Sequence, residues 1–394
     1  MKLEPGSEEA AAEAVRRLAA EGTPVRLEGG GTRQAIGRPI QTAATLSSRG
    51  LRGLTLYEPA EMVVAARAGT PLAELEAALA AKGQMLPFEP MDHRPLLGSR
   101  GEPTVGGMVA GNHSGPRRIK AGACRDSLIG LRFVNGRGEL LRSGGRVMKN
   151  VTGLDLVKLL CGSWGTLAFL TEATFKVLPR PEAELTLLFE GLAEPEAVAL
   201  LCAAMGTPFE PSGAAHLPAG VGAARARTVL RLEGFTRSIH YRADRLAACL
   251  REHGPAERIE GAESAALWRS VRDVLALVEP RERAVWRLSL PPARGAEAVA
   301  AIRAERPCEV LYDWSGGLVW LATAEEEDAG CATIRAVCER LGGHATLVRG
   351  SLDLRARIEP FHPTAERVRR LEAGIEDAFD PLGLFNPGLL RAGR

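Results

Sequence analysis

The apolar residues of this chain recur with two periods, and the places where the period changes mark its elements. Between residues 7 and 21 they return every three to four positions. This predicts an amphipathic helix with Ser7 as N-cap and Glu8 and Glu9 at its positive end. A short strand, Pro24 to Leu27, stops at Gly29-Gly30-Gly31-Thr32. Strand-like runs at Leu54–Tyr57 and Val63–Ala68 lead to a helix ending at Ala81. Thr70 is expected to cap it, with Pro71 at the first position, where its missing N–H costs nothing. From Pro87 to Gly115 the chain is rich in Pro and Gly and reads as a long irregular loop, a type that often carries function. Alternation resumes in Leu128–Val134 and Glu139–Ser143, and Asn135-Gly136-Arg137-Gly138 between them predicts a hairpin. A strand from Thr166 to Leu178 ends at Pro179-Arg180-Pro181, a candidate boundary.

Beyond residue 181 the pattern changes and repeats. A first round reads strand Ala183–Phe189, helix Pro195–Ala204, strand Thr228–Glu233 and helix Ser238–His253. The second reads strand Ala284–Leu290, helix Ala296–Glu305, strands Glu309–Trp314 and Gly317–Leu321, helix Glu326–Leu341 and strand His344–Arg349. Two split βαβ rounds predict ferredoxin-like units sharing one antiparallel sheet, with helices on one face. A helix from Pro363 to Phe379 and the string FDPLGLFNPG complete the tail. The expected fold class is α+β, in regions 1–180, 181–350 and 351–394.

Composition narrows the function classes. With 394 residues, 45 % apolar and 25 % charged, the chain is long enough for two or three domains. A net charge of +2 argues against a generally basic nucleic-acid binder, and only 5 % aromatic residues leave few stacking platforms for bases. Only six of the 50 cations are Lys, a bias that codon usage in a GC-rich genome explains. Seven cysteines include no C-x-x-C pair, so no iron–sulfur run or zinc knuckle is expected, and a reducing compartment is. Residues 1–20 mix acids and bases without an apolar core, unlike a signal peptide, and the most apolar window, Leu154–Leu170, is broken by Lys158 and three small residues. A cytoplasmic protein is expected, attached to a membrane at most through partners.

Candidate chemistry follows the glycines. Gly29-Gly30-Gly31-Thr32 after a strand allows backbone N–H groups to converge on an anion, with an ordinary tight turn as the competing reading. It is neither a Walker A loop nor G-x-G-x-x-G. Pro103-Thr104-Val105-Gly106-Gly107, continuing to Asn112, and the segment from Gly153 to Glu172 repeat the theme. The seven His residues show no metal-ligand spacing, so no metal site is expected. Arg117 and Arg118 are candidate carboxylate or phosphate clamps and His113 a candidate base, each weighed against a solvated loop. From Pro116 to Lys149 nine Lys/Arg face two Asp/Glu, a local excess of +7, read either as a solvated basic face or as attraction for an acidic ligand. Cys331 and Cys338 on one helix face read as core, and His344 as structural.

The ordered set GGGT, PTVGG and GLDLVKLLCGSWGTLAFLTE resembles the PCMH-type FAD-binding domain of the vanillyl-alcohol oxidase flavoprotein family. The strings KGQMLPFEP, GGMVAGNHSGPRR, KVLPRPEA, WRLSLP, DWSGG and GGHAT resemble the E subunits of bacterial glycolate oxidase (glycolate dehydrogenase) complexes. The resemblance implies an FAD-binding domain over 1–180, a cap or substrate domain over 181–350 and a tail returning to the flavin. It implies that Gly29, Gly30, Gly31 and Thr32 hold the FAD pyrophosphate. Pro103, Thr104, Gly106, Gly107 and Asn112 would line the ribityl chain and ring, Gly165, Thr166 and Leu170 the adenine half, and Asn386 the flavin ring. No His lies in the first glycine loop, so FAD is expected to be noncovalent. Leu154 stands where the family often has Tyr, and the G-D-G-N-x-H and Glu-His-Gly strings of metal-dependent relatives are absent. The expectation is an FAD subunit for oxidation of a small 2-hydroxy acid, glycolate to glyoxylate, with a homologous catalytic flavoprotein and an iron–sulfur subunit as partners. The alternatives are an assembly subunit with structural FAD and a free-standing alcohol or alditol oxidase.

Overall fold

The computed structural model of the chain describes residues 1–145 and 154–393; Gly153, Arg146 and Lys149, which entered the sequence reading, lie outside the described residues. Helix Glu8–Ala20 begins as its sequence predicts, with the Ser7 hydroxyl accepting the Ala10 N–H at 3.1 Å. It covers a small parallel sheet in the order Lys2–Leu3, Ala44–Ser47, Val25–Glu28. Beside it stands a five-stranded antiparallel sheet, in spatial order Leu54–Glu58, Val63–Arg67, Phe169–Lys176, Leu128–Val134, Leu140–Gly144. The last pair is the predicted hairpin.

The helix after Pro71 starts differently from the expectation. It spans Leu72–Ala80 with Pro71 at the cap position, and the Thr70 hydroxyl accepts the Gly53 N–H at 2.9 Å instead of capping. Thr70 is diverted because its backbone pairs with the next functional loop: Val105 N–H reaches Thr70 O at 3.0 Å and Leu72 N–H reaches Pro103 O at 2.8 Å. The stretch 87–115 is likewise not all loop. Thr104 caps a helix over Val105–Ala110, its hydroxyl accepting from Gly107 N–H at 3.3 Å.

The second half forms one eight-stranded antiparallel sheet. Its order is Glu257–Glu260, Ala183–Glu190, Arg227–Gly234, Gly213–Leu217, then Glu309–Asp313, Leu318–Thr323, Ala284–Ser289, His344–Arg349. Each half has the βαββαβ connectivity of a ferredoxin-like unit, and the units meet edge to edge through His216 and Tyr312. Two strands of this sheet escaped the sequence reading. Gly213–Leu217 is a run of Gly and Ala with little strand preference, formed because neighbours pair on both sides, and Glu257–Glu260 is a polar edge. Helices Glu194–Met205, Thr236–Cys249, Gly295–Glu305 and Cys331–Arg340 cover one face. Cys331 and Cys338 are buried there beside Ile334, as expected. The opposite face, with Val285, Leu311, Trp320 and Val348, packs on Ile36, Met91 and Leu96 from the first half and on helix Gly261–Arg272. Every cavity described below opens near that contact. Among the described residues no helix is long and apolar enough to cross a membrane.

Candidate active site

Two glycine loops interlock at the end of strand Val25–Glu28. A Cβ on Gly30 would sit 1.5 Å from Glu102 O, and one on Gly101 would sit 1.7 Å from Gly30 O, so the backbones touch where any side chain would intrude. Gly31 has φ +76°, a conformation a glycine supplies without strain, and a Cβ there would make only ordinary contacts with Gln34 and Glu28. These loops floor a cleft of ≈ 430 Å³ lined by Gly29, Gly30, Gly31, Thr32, Thr104, Gly107, Gly111 and Trp164.

The charge in the cleft is one-sided. Arg26, Arg33, Arg38 and Arg355 line it against the single carboxylate of Glu28. Arg26, Arg38 and Arg355 spend N–H groups on the carbonyls of Ile40, Ile358 and Gly37, and among the described residues none of the four forms an ion pair. Arg33 donates Nε–H to His93 Nδ1 at 3.3 Å and leaves Nη2 buried without a partner. Burial holds its guanidinium down to about 10. Orphaned donors of a buried cation are costly unless an anion completes them.

A second cavity of ≈ 270 Å³ joins the cleft, sharing Ile36, Gly111 and Trp164 as walls. Arg118, Arg287, His93, His113, His344, Ser289 and Thr346 also line it, with no acid. His113 is buried with Nε2 unpartnered, against the imidazole of His93 (4.5 Å between rings) and the indole of Trp164 (5.4 Å). Burial, reinforced by Arg33, pushes its pKa well below 6.5, so the ring is neutral. Gly111 is glycine because a Cβ there would meet His113 Nε2 at 2.0 Å. Burial and the nearby Arg118 lower Arg287 to about 10. Both guanidiniums rest on the indole of Trp314, 4.6 and 5.1 Å from its centroid.

Residues 1–144 match the family described as an FAD binding domain. Over 380 residues the chain is 35% identical to "Glycolate oxidase subunit GlcE" of Escherichia coli (strain K12), covering 96% of both sequences. The chain belongs to the FAD-binding glycolate oxidase subunit family. It is also 26% identical over 411 residues to "Glycolate oxidase subunit GlcD" of Bacillus subtilis (strain 168), covering 94% of this chain and 84% of that one. The fold matches a solved alkyldihydroxyacetonephosphate synthase with a TM-score of 0.71 at 17% identity, over 98% of this chain and 75% of that one. FAD is therefore the cofactor and the chain is an oxidoreductase acting on CH–OH groups.

The residues of the cleft fit the dinucleotide: the cation-rich, carboxylate-poor lining and the orphaned Arg33 Nη2 complement a pyrophosphate. The sequence candidates divide. Gly29, Gly30, Gly31, Thr32, Thr104 and Gly107 line the cleft, Asn112 lines the adjoining cavity, and Asn386 lines the cleft from the tail. The Asn386 amide is taken up by backbone: its Oδ1 accepts Leu27 N–H at 2.8 Å, and Nδ2 donates to Trp164 O and Gly165 O. It clips the tail onto the glycine loop, with both Nδ2 hydrogens used and one lone pair of Oδ1 left over. Pro103 and Gly106 anchor the second loop, Gly106 so close to Ala68 that a Cβ would sit 2.8 Å from the Ala68 Cβ. Gly165 and Thr166 lie behind Asn386, and Leu170 is buried in the five-stranded sheet.

Of the two arginine candidates only Arg118 reaches the cavity. Arg117 donates Nε–H and Nη2–H to Glu233, the latter at 2.6 Å, and pairs with Glu89 at 3.4 Å. Elsewhere in the described part of the stretch 116–149, Lys120 is likewise paired with Glu210 and Arg132 with Glu8. Sequence reasoning missed Arg26, Arg33, Arg38, Arg287 and Arg355 because one arginine among many carries no local mark. His344, read as structural, also borders the cavity. Among the described residues no group of His, Cys, Asp or Glu could hold a metal ion.

Proposed function

We propose that this chain oxidises a small 2-hydroxy acid, glycolate in the first instance, within a complex whose iron–sulfur subunit takes the electrons. The observation that carries the reading is the acid-free cavity opening onto the flavin cleft with two unpaired guanidiniums and a neutral imidazole. FAD bound in the cleft supplies the hydride acceptor for the C2–H of the acid. Arg118 and Arg287 bind and orient the carboxylate, and His113 Nε2 takes the hydroxyl proton. Trp164 and Phe361, whose rings meet at 5.3 Å, form an apolar wall of the cavity. Gly29 to Thr32, with Arg33, hold the pyrophosphate noncovalently, because no His stands in the loop to form a tether. The cysteines, seven and unclustered, support a separate electron carrier, and similarity to both an E-type and a D-type glycolate oxidase subunit supports a homologous flavoprotein partner.

The test is anaerobic addition of glycolate to the yellow protein, alone and with its co-purified partners. Bleaching of the isolated chain is the expected result. Bleaching only in the presence of the partners would give the chemistry to them and leave this chain an FAD-bearing assembly subunit. Acid precipitation should release the flavin into the supernatant; a yellow pellet would refute the noncovalent link.

Two substitutions refine the roles. Arg287→Met should raise KM for glycolate about 10–100-fold, the worth of a charge-assisted hydrogen bond of about 1.5–3 kcal/mol, while FAD content stays unchanged. An unchanged KM would remove Arg287 from the substrate site. His113→Asn should lower kcat about 100-fold or more, the usual contribution of a general base. Because the His113 pKa lies well below 6.5, its basic form persists as pH falls, and the acid limb of kcat/KM is expected well below pH 6.5. A limb centred at pH 6.5 or above would exclude His113 as the base.

A further inference from the structure

The turn Asp313–Gly317 joins strands Glu309–Asp313 and Leu318–Thr323 through an improbable backbone. Trp314, Ser315 and Gly316 have φ of +49°, +61° and +91°, three consecutive left-handed residues of which only one is glycine. For side-chain-bearing residues this region costs about 1 kcal/mol or more each, and such strain persists only where surroundings enforce it. They do so here. The Asp313 carboxylate accepts Trp314 N–H at 2.7 Å, and a Cβ on Gly316 would strike Pro292 O at 2.6 Å.

What the strain achieves is the placement of the indole. Its Nε1–H donates to Gly115 O at 3.1 Å, tying the turn to the loop that carries Arg118. Its ring receives Arg118 from that loop and Arg287 from strand Ala284–Ser289. Among the described residues neither guanidinium forms an ion pair within about 4 Å; Asp126 acts on Arg118 and Asp313 on Arg287 only from farther away, and the two cations repel one another across the cavity. A ring that attracts both offsets that repulsion, because each cation is drawn to the negative π face.

We propose that Trp314 is a positioning residue that holds Arg118 and Arg287, one from each half of the molecule, in register for a single carboxylate. The inference rests on the assignment of those arginines to the substrate. It predicts that binding of the carboxylate depends on the electron density of the indole and not only on its bulk.

The experiment uses the FAD-loaded protein and oxalate as an inert dicarboxylate probe, read by perturbation of the flavin absorbance. Trp314→Leu should raise the oxalate Kd and the glycolate KM about tenfold with kcat within a few-fold, and Trp314→Phe should restore most of the loss. Combined with Arg287→Met, Trp314→Leu should add less loss than it causes alone, since only its hold on Arg118 is then left to lose. If Leu disturbs the turn enough to expel FAD, site-specific fluorinated tryptophans at position 314 decide. They keep shape and N–H while draining the π face, so the oxalate Kd should rise stepwise with fluorine number. Oxalate binding insensitive to fluorination, or a lowered kcat at unchanged KM, overturns the role of Trp314. A wild-type protein that neither binds oxalate nor is reduced by glycolate overturns the substrate assignment itself, and this proposal with it.

Discussion

Protein carrying Gly30→Ala is expected to purify colourless and to stay so after incubation with FAD. The added methyl would lie 1.5 Å from Glu102 O and 2.6 Å from Glu102 C. The obstacle is backbone, which cannot rotate aside, and Gly101 approaches Gly30 O from the same loop just as closely. The two loops must separate, and with them the floor of the pyrophosphate site. Ordinary overpacking costs about 1–3 kcal/mol, and this case belongs at or above the top of that range. Gly31→Ala is the control. It meets only ordinary side-chain contacts, Gln34 Nε2 at 3.6 Å and Glu28 Cδ at 4.0 Å, and bears only the roughly 1–2 kcal/mol penalty of a left-handed alanine at φ +76°. The ratio of flavin to protein absorbance and the Tm measure both effects. A yellow Gly30→Ala protein with full flavin content would show that the loops do not interlock in solution.

Arg231→Met should cost stability more than any surface change. The Arg231 guanidinium is fully buried and forks onto Glu89, with Nη1 and Nη2 at 3.0 and 2.9 Å from the two carboxylate oxygens. It lies 4.5 Å from the Trp268 ring and 3.6 Å from Glu233, which Arg117 also holds. Removing one partner of a buried pair strands the other charge, at about 3–5 kcal/mol. Denaturant unfolding at pH 7 checks this, and Glu89→Gln added to the Arg231 variant should recover part of the loss. A loss below 1 kcal/mol would mean that water already reaches the pair. The pH dependence has a definite sign. Arg231 and Arg117 outweigh the cost of burial and hold Glu233 down to about 2, below the ordinary glutamate value. Its contribution is therefore complete above pH 4.5 and lost as pH falls toward 2. Arg231→Met should flatten that acid limb.

These two sites differ in how far the sequence disclosed them. Gly30 announces itself, because three successive glycines after a strand have few purposes other than close approach. The same holds for the repeat of strands and helices after residue 181, whereas the helix Val105–Ala110 that Thr104 caps was read as loop because its small residues carry no helical period. Thr70 was misread because its hydroxyl has two possible partners, and only the packing of Gly53 against it decided which. Gly213–Leu217 was missed because its strand conformation comes from its neighbours and not from its side chains.

Glu89 and Arg231 stand 142 residues apart, and nothing near either one marks a pair. Arg117 and Arg118 are adjacent in sequence, yet one is neutralised by two glutamates and the other reaches an acid-free cavity. The sequence by itself determined the fold class and the glycine loops, since periodicity and glycine tolerance are constraints between near neighbours and survive in any context; the cofactor was implied by the family resemblance of those loops. Tertiary structure alone decided which arginines are free to meet an anion. A guanidinium's role depends on whether a carboxylate comes within about 4 Å, and that distance is set by the folding together of segments the chain keeps far apart.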